Sequence, residues 1–232
     1  MLIQDISHGL LHLFFPALCE GCQQPLVKGE SILCIRCAVM IPRTAFHGFA
    51  DNETAVRFTG RVPYRHATSY AWFTAGGLLQ HLLHRLKYDS QKSIGKDLGQ
   101  RFGEEIKDLD WARSIDEIIP VPLHPKKYAE RGFNQSAVIA GGLGEALGKP
   151  VADGMLKRTR HTQSQTQKNR EERITNVADA FAATRPDKLR GKHLLLLDDV
   201  LTTGATMEAA ANALLTIPGI TVSLATIGLA QQ

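Results

Sequence analysis

All four cysteines of the chain lie in two C-x2-C pairs, Cys19-Glu20-Gly21-Cys22 and Cys34-Ile35-Arg36-Cys37, with eleven residues between the pairs. Each pair can turn two thiolates toward one cation, and two such knuckles complete a tetrahedral shell around Zn²⁺. Four thiolates leave no open ligand position, so the spacing predicts a structural rather than hydrolytic metal; iron fits the same spacing. A second stretch carries different chemistry: Asp198-Asp199-Val200-Leu201-Thr202-Thr203-Gly204-Ala205-Thr206. Ionised, Asp198 and Asp199 accept hydrogen bonds from adjacent ribose hydroxyls or reach Mg²⁺ through water. Thr202, Thr203, Gly204, Ala205 and Thr206 offer backbone N–H groups at a helix N-terminus and three hydroxyls, a set suited to phosphate. A plain helix cap needs one such residue, not two acids and three threonines around a glycine. No Gly-Lys-Ser/Thr follows the glycine, which excludes a Walker A loop.

The elements that must hold these residues can be read around them. Four leucines, 194–197, directly before the acids predict a strand buried on both faces, as in a parallel sheet. Apolar positions from Ala205 to Leu215 predict a helix, ended by Pro218-Gly219. Strand, polar loop and helix in that order place the loop at the carboxyl end of a strand, where open α/β sheets bind ligands. Upstream, residues 68–74 and 116–121 read as strands, and 221–229 as the last one. Leu78, Leu79, Leu82, Leu83 and Leu86 make one helical stripe, and Ile94, Leu98, Phe102 and Ile106 another, over residues 93–109. Residues 133–147 read as a further helix, and 180–182 as a short strand. His81 and His84 flank the leucine stripe without metal-ligand spacing.

The chain has 232 residues, 44% hydrophobic and 22% charged, which is ordinary for a globular protein. Its net charge of +4 is unevenly placed. Residues 155–175 carry Lys157, Arg158, Arg160, Lys168, Arg170 and Arg173 against Glu171 and Glu172, which predicts an anionic ligand at that segment. The stretch 159–173 is polar and weakly periodic. No 18-residue apolar run exists, so no stable membrane insertion is expected. The first residues lack the basic start of a signal peptide. Leu2, Ile6, Leu10, Leu13 and Phe14 instead share a helical face expected to pack on the body. The expected division is a helix and four-cysteine module at 1–45, a linker at 46–60 and a larger domain at 61–232, the two folded parts with separate cores.

The stretch from Leu195 to Thr206 resembles the phosphoribosyl-diphosphate (PRPP) motif of type I phosphoribosyltransferases. With the four cysteines, and with Pro120-Val121-Pro122-Leu123 leading to Arg131-Gly132-Phe133-Asn134-Gln135-Ser136, the chain resembles the ComF family over nearly its whole length. The resemblance implies an α/β fold of the type I phosphoribosyltransferase kind, a mainly parallel sheet flanked by helices, with a small zinc-ribbon-like module at the N-terminus. It implies Asp198 and Asp199 as the catalytic pair. PRPP would be held by them, by Thr202 to Thr206, and by the loop and cations Leu123, His124, Lys126 and Arg131. It further implies Mg²⁺ with the diphosphate, Zn²⁺ on Cys19, Cys22, Cys34 and Cys37, Lys87-Tyr88 as the Lys-Tyr that the family places after the leucine helix, and residues 159–173 as the loop that closes over the reacting centre. Its partners would be PRPP or a ribose 5-phosphate, single-stranded DNA and other DNA-uptake proteins, in the cytoplasm or at the inner face of the membrane.

Three functions stand on this reading. One is a PRPP-binding protein of DNA uptake in natural competence. The second is a nucleobase phosphoribosyltransferase of salvage, in which a nitrogen nucleophile attacks the anomeric carbon; it would need a hood that stacks a base, for which Tyr64, Tyr70 and Trp72 are the available aromatics. The third is a zinc-ribbon protein that binds single-stranded DNA on a repurposed catalytic fold. Whether the chain is an enzyme stays open, because fold alone does not give activity.

Overall fold

The computed structural model describes residues 16–159 and 180–231. The N-terminal stripe of Leu2 to Phe14 and most of the basic segment, residues 160–175, lie outside them. Four parallel strands form the central sheet in the order β1 (Ala67–Phe73), β6 (Thr221–Ala230), β5 (His193–Leu201), β2 (Glu117–Pro120). The leucine run therefore sits in an interior strand with both faces covered, as its composition demands. Period-two alternation divides it. Leu195 and Leu197 join the core under helices α3 (Leu78–Tyr88), α4 (Lys92–Ile106) and α7 (Gln135–Leu147), while Leu194 and Leu196 join the core under α8 (Ala205–Leu215). All four leucines are fully buried, which contributes on the order of 2 kcal/mol each.

Helices α4 and α7 pack tightly through glycines. A Cβ on Gly99 would stand 2.1 Å from the Ile139 carbonyl oxygen, and one on Gly142 would stand 2.0 Å from that of Lys96. Two short helices, α5 (Asp110–Arg113) and α6 (Pro125–Arg131), bracket β2. Phe181–Ala183 does not join the main sheet; as β4 it forms an antiparallel pair with β3 (Leu156–Arg158).

Two expectations are corrected. The cysteine module has no core of its own: Cys19, Leu33, Cys37 and Ile41 belong to one apolar cluster with Tyr70, Leu79, Leu83 and Ile227. The chain leaving helix α1 (Ile35–Met40) pairs straight onto β1, where the Thr44 N–H donates to Tyr70 O at 3.1 Å and the Trp72 N–H donates to Pro42 O at 2.8 Å. Residues 46–60 are also packed rather than free. They contain α2 (Glu53–Val56), whose N-cap Asn52 accepts from the Ala55 N–H at 3.0 Å, and they bury Phe58 completely. Their sequence hid this because the buried residues follow neither a helical nor a strand period.

Candidate functional site

All strands of the sheet run parallel, so their carboxyl ends share one edge, and the acid pair lies there. Strand β5 runs through Asp198 and Asp199 to Leu201, placing the acids on the strand rather than in the loop. Residues 202–204 make the turn, and Ala205 and Thr206 open α8. Gly204 adopts φ +82°, which glycine alone takes without strain, and a Cβ there would press on the Phe58 ring at 3.1 Å. The N–H groups of Thr203, Gly204 and Thr206 have no acceptor among the described residues. These residues line a cleft together with Asp198, Thr202, Ala205 and Thr226. An anion fits that helix end.

Each acid has a built setting. The Ser136 hydroxyl donates to Asp198 Oδ1 at 2.9 Å, Gln135 Nε2 donates to Asp199 Oδ2 at 3.2 Å, and Lys87 Nζ stands 2.5 Å from the same oxygen. Burial, and then the charge of Asp199, push the Asp198 carboxyl up to about 7, against the opposing hydrogen bonds from the Asp199 N–H and Ser136 and the charge of Lys87. Two carboxylates so crowded fit a cation or a cluster of hydroxyl donors.

The other cations expected here divide. Arg131, on α6, reaches the pair indirectly by donating to Gln135 Oε1 at 3.1 Å, with its guanidinium 5.2 Å from the Tyr88 ring centre. His124 caps α6 by accepting from the Lys126 N–H at 3.2 Å. No hydrogen bond or ion pair joins Leu123 or the Lys126 side chain to the acids among the described residues. Tyr70 is fully buried, its hydroxyl pushed up to about 12 by that burial, so it cannot serve as a base-stacking hood. Trp72 meets Phe46 edge-on at 5.5 Å, and the Tyr64 hydroxyl donates to Ala55 O at 3.3 Å.

Two arginines escaped the sequence reading. Arg57 donates to Thr202 O at 3.1 Å and to Ala230 O at 3.2 Å; Arg61 donates to Thr203 O at 2.8 Å and pairs with Glu208 on α8. Together they hold the back of the loop. Nothing in their local sequence marks them, whereas Ser136 and Gln135 were signalled by the Arg131–Ser136 motif.

The thiols form a second site. The Sγ atoms of Cys19, Cys22, Cys34 and Cys37 all lie within 4.8 Å of one another, with Cys22 and Cys34 at 3.7 Å, close to the edge of a thiolate tetrahedron around one metal ion. Backbone N–H groups of Gly21 and Cys34 donate to Cys19 Sγ at 3.4 and 3.2 Å. Burial alone would raise the Cys19 thiol, but N–H groups of Cys34, Cys22 and Gly21 bring it down to about 7. Gly21 is required, because a Cβ would fall 2.9 Å from Cys37 Sγ.

Residues 134–228 match the phosphoribosyl transferase domain. The chain is 27% identical over 223 residues to the DNA utilization protein YhgH of Salmonella typhimurium, covering 91% of this chain and 96% of that one. It is 26% identical over 219 residues to the competence protein ComFC of Bacillus subtilis, covering 91% and 84%. Superposed on the adenine phosphoribosyltransferase of Leishmania tarentolae, it gives a TM-score of 0.40 at 11% identity, over 78% of this chain and 88% of that one. The class is thus a protein of phosphoribosyltransferase fold, with four clustered cysteines at its N-terminal end. Within that class, the relatives matched along about nine-tenths of the chain are named for DNA utilization and for competence. Among the described residues no helix is long and apolar enough to cross a membrane.

Proposed function

We propose that the chain binds PRPP, or a ribose 5-phosphate, with Mg²⁺, and serves the handling of incoming DNA. The observation that carries this is the joining of the Asp198–Asp199 pair to an anion-accepting helix end in one cleft at the carboxyl edge of the sheet. Asp198 and Asp199 would accept the ribose hydroxyls. The N–H groups of Thr203, Gly204 and Thr206 and the threonine hydroxyls would hold the 5-phosphate, while Arg57 and Arg61 keep the loop in shape from behind. Mg²⁺ bound with the ligand would offset the negative charge of the diphosphate. Lys87 would hold the Asp199 carboxylate in place.

The competence and DNA-utilization names of the relatives support the DNA role, and the burial of Tyr70 speaks against a salvage enzyme that must stack a base. The four cysteines would hold one Zn²⁺, which elemental analysis of the purified protein checks directly. Titration calorimetry with PRPP and Mg²⁺ tests the main reading. Wild type should bind and Asp198→Ala/Asp199→Ala should bind at least tenfold more weakly, since each charged hydrogen bond contributes about 1.5–3 kcal/mol. Equal affinity would overturn the site. Single-stranded DNA binding should weaken steeply as salt is raised.

A further inference from the structure

Helix α3 lies between the cysteine knuckle and the acid pair, and it touches both. On one side Arg85 forms an ion pair with the Glu20 carboxylate and donates to the Glu20 carbonyl oxygen at 3.3 Å. Leu78, seven residues earlier and therefore on the same helical face, packs on Gly21: a Cβ added there would come within 3.0 Å of Leu78 Cδ1. Lys87 follows Arg85 by two residues, about 200° further round the helix. There its Nζ stands 2.5 Å from Asp199 Oδ2.

We propose that the metal knuckle sets the seat of Lys87. Glu20 and Arg85 are then positioning residues for ligand binding, and loading of the four-cysteine site is coupled to affinity at the acid pair. The buried leucines Leu79, Leu82, Leu83 and Leu86 fix how deep α3 lies. A stripe of leucines tolerates small rotations, so the register of the helix is set by its end contacts, Leu78 against Gly21 and Arg85 against Glu20. The Glu20–Arg85 pair suits this role, with both side chains about one-fifth exposed and Arg85 also 3.6 Å from Asp89. Rotation of α3 by about 20° would carry a lysine tip, roughly 8 Å from the axis, through about 3 Å, enough to separate Lys87 from Asp199. Glu20 lies between two metal ligands, so a metal that orders the knuckle also orders the carboxylate gripping Arg85.

The affinity arm of this inference rests on the ribose-phosphate reading; the Lys87 arm does not. The test compares wild type with Glu20→Arg, Arg85→Glu and the double charge swap, following three readouts: bound zinc, acylation of Lys87 by N-hydroxysuccinimide acetate with exposed Lys126 as reference, and calorimetric affinity for PRPP with Mg²⁺. Each single swap should speed Lys87 acylation several-fold and weaken PRPP binding about five- to tenfold, and the double swap should restore both. Arg85→Leu, which leaves the knuckle residues untouched, should behave as Arg85→Glu does with zinc retained. Lys87 reactivity unchanged in every single variant overturns the proposal. If wild type binds no PRPP while Lys87 still responds to the swaps, the positioning of Lys87 by Glu20 and Arg85 stands and the ribose-phosphate reading falls.

Discussion

At the scale of single residues, the Asp198 carboxyl is the most informative group. Its value near 7 in the folded chain lies above the usual 3.8, so in the ligand-free protein it favours the folded state at low pH, and this contribution is lost as pH rises from about 4 through about 7. Ligand binding needs the opposite form. Affinity for PRPP and Mg²⁺ should therefore rise from about pH 6 to about pH 8, by up to roughly tenfold per pH unit below the transition. Asp198→Asn should bind weakly, and it should flatten the pH dependence of thermal stability; a pH-stability curve like that of wild type would exclude Asp198 as the titrating group. Gly21→Ala is the matching test at the thiols. Its methyl would collide with Cys37 Sγ, so bound metal should fall below one per chain by elemental analysis. The sequence exposed the thiols and acids because their types and spacing are rare. For Lys87 only the family resemblance pointed to a role, because its contact with Asp199 joins residues far apart in sequence.

Among the elements, the strand–loop–helix unit of β5 and α8 was legible because local patterns define it: a leucine run, a polar turn with glycine, then small helix-forming residues. The brace behind that unit was not. Arg57 and Arg61 reach Thr202 and Thr203 across a sequence separation of about 140 residues, and no local pattern reports such a contact. Arg61→Ala removes the bonds to Thr203 O and Arg57 O and the pair with Glu208. Because this arginine is about one-third exposed, its contribution is modest, on the order of 1 kcal/mol. PRPP affinity should fall about fivefold in calorimetry, with zinc content unchanged. An affinity equal to wild type would mean that the loop keeps its shape without the brace.

Taken whole, the molecule joins its four-cysteine module to the sheet through one apolar cluster and through the pairing of residues 42–44 with β1. The sequence suggested two folded parts because the cysteines are local and the stretch after them is aperiodic, yet the packing is continuous. Cys34→Ser should accordingly lower the stability of the protein as a whole, and chelation should do the same. Calorimetric unfolding should show one transition at reduced temperature; two separate transitions, with the second at its wild-type position, would contradict a shared core.

The strand order has a consequence for synthesis. The strand made last, β6, sits between β1 and β5, and Ala67 finds its partner Leu224 only after 157 further residues have been made. On the ribosome the sheet cannot close until β6 emerges, which leaves the edge of β1 without its neighbour for most of translation. Early folding must then proceed through local units, the cysteine knuckles and the α4–α7 helix pair, with the ligand cleft assembled at the end.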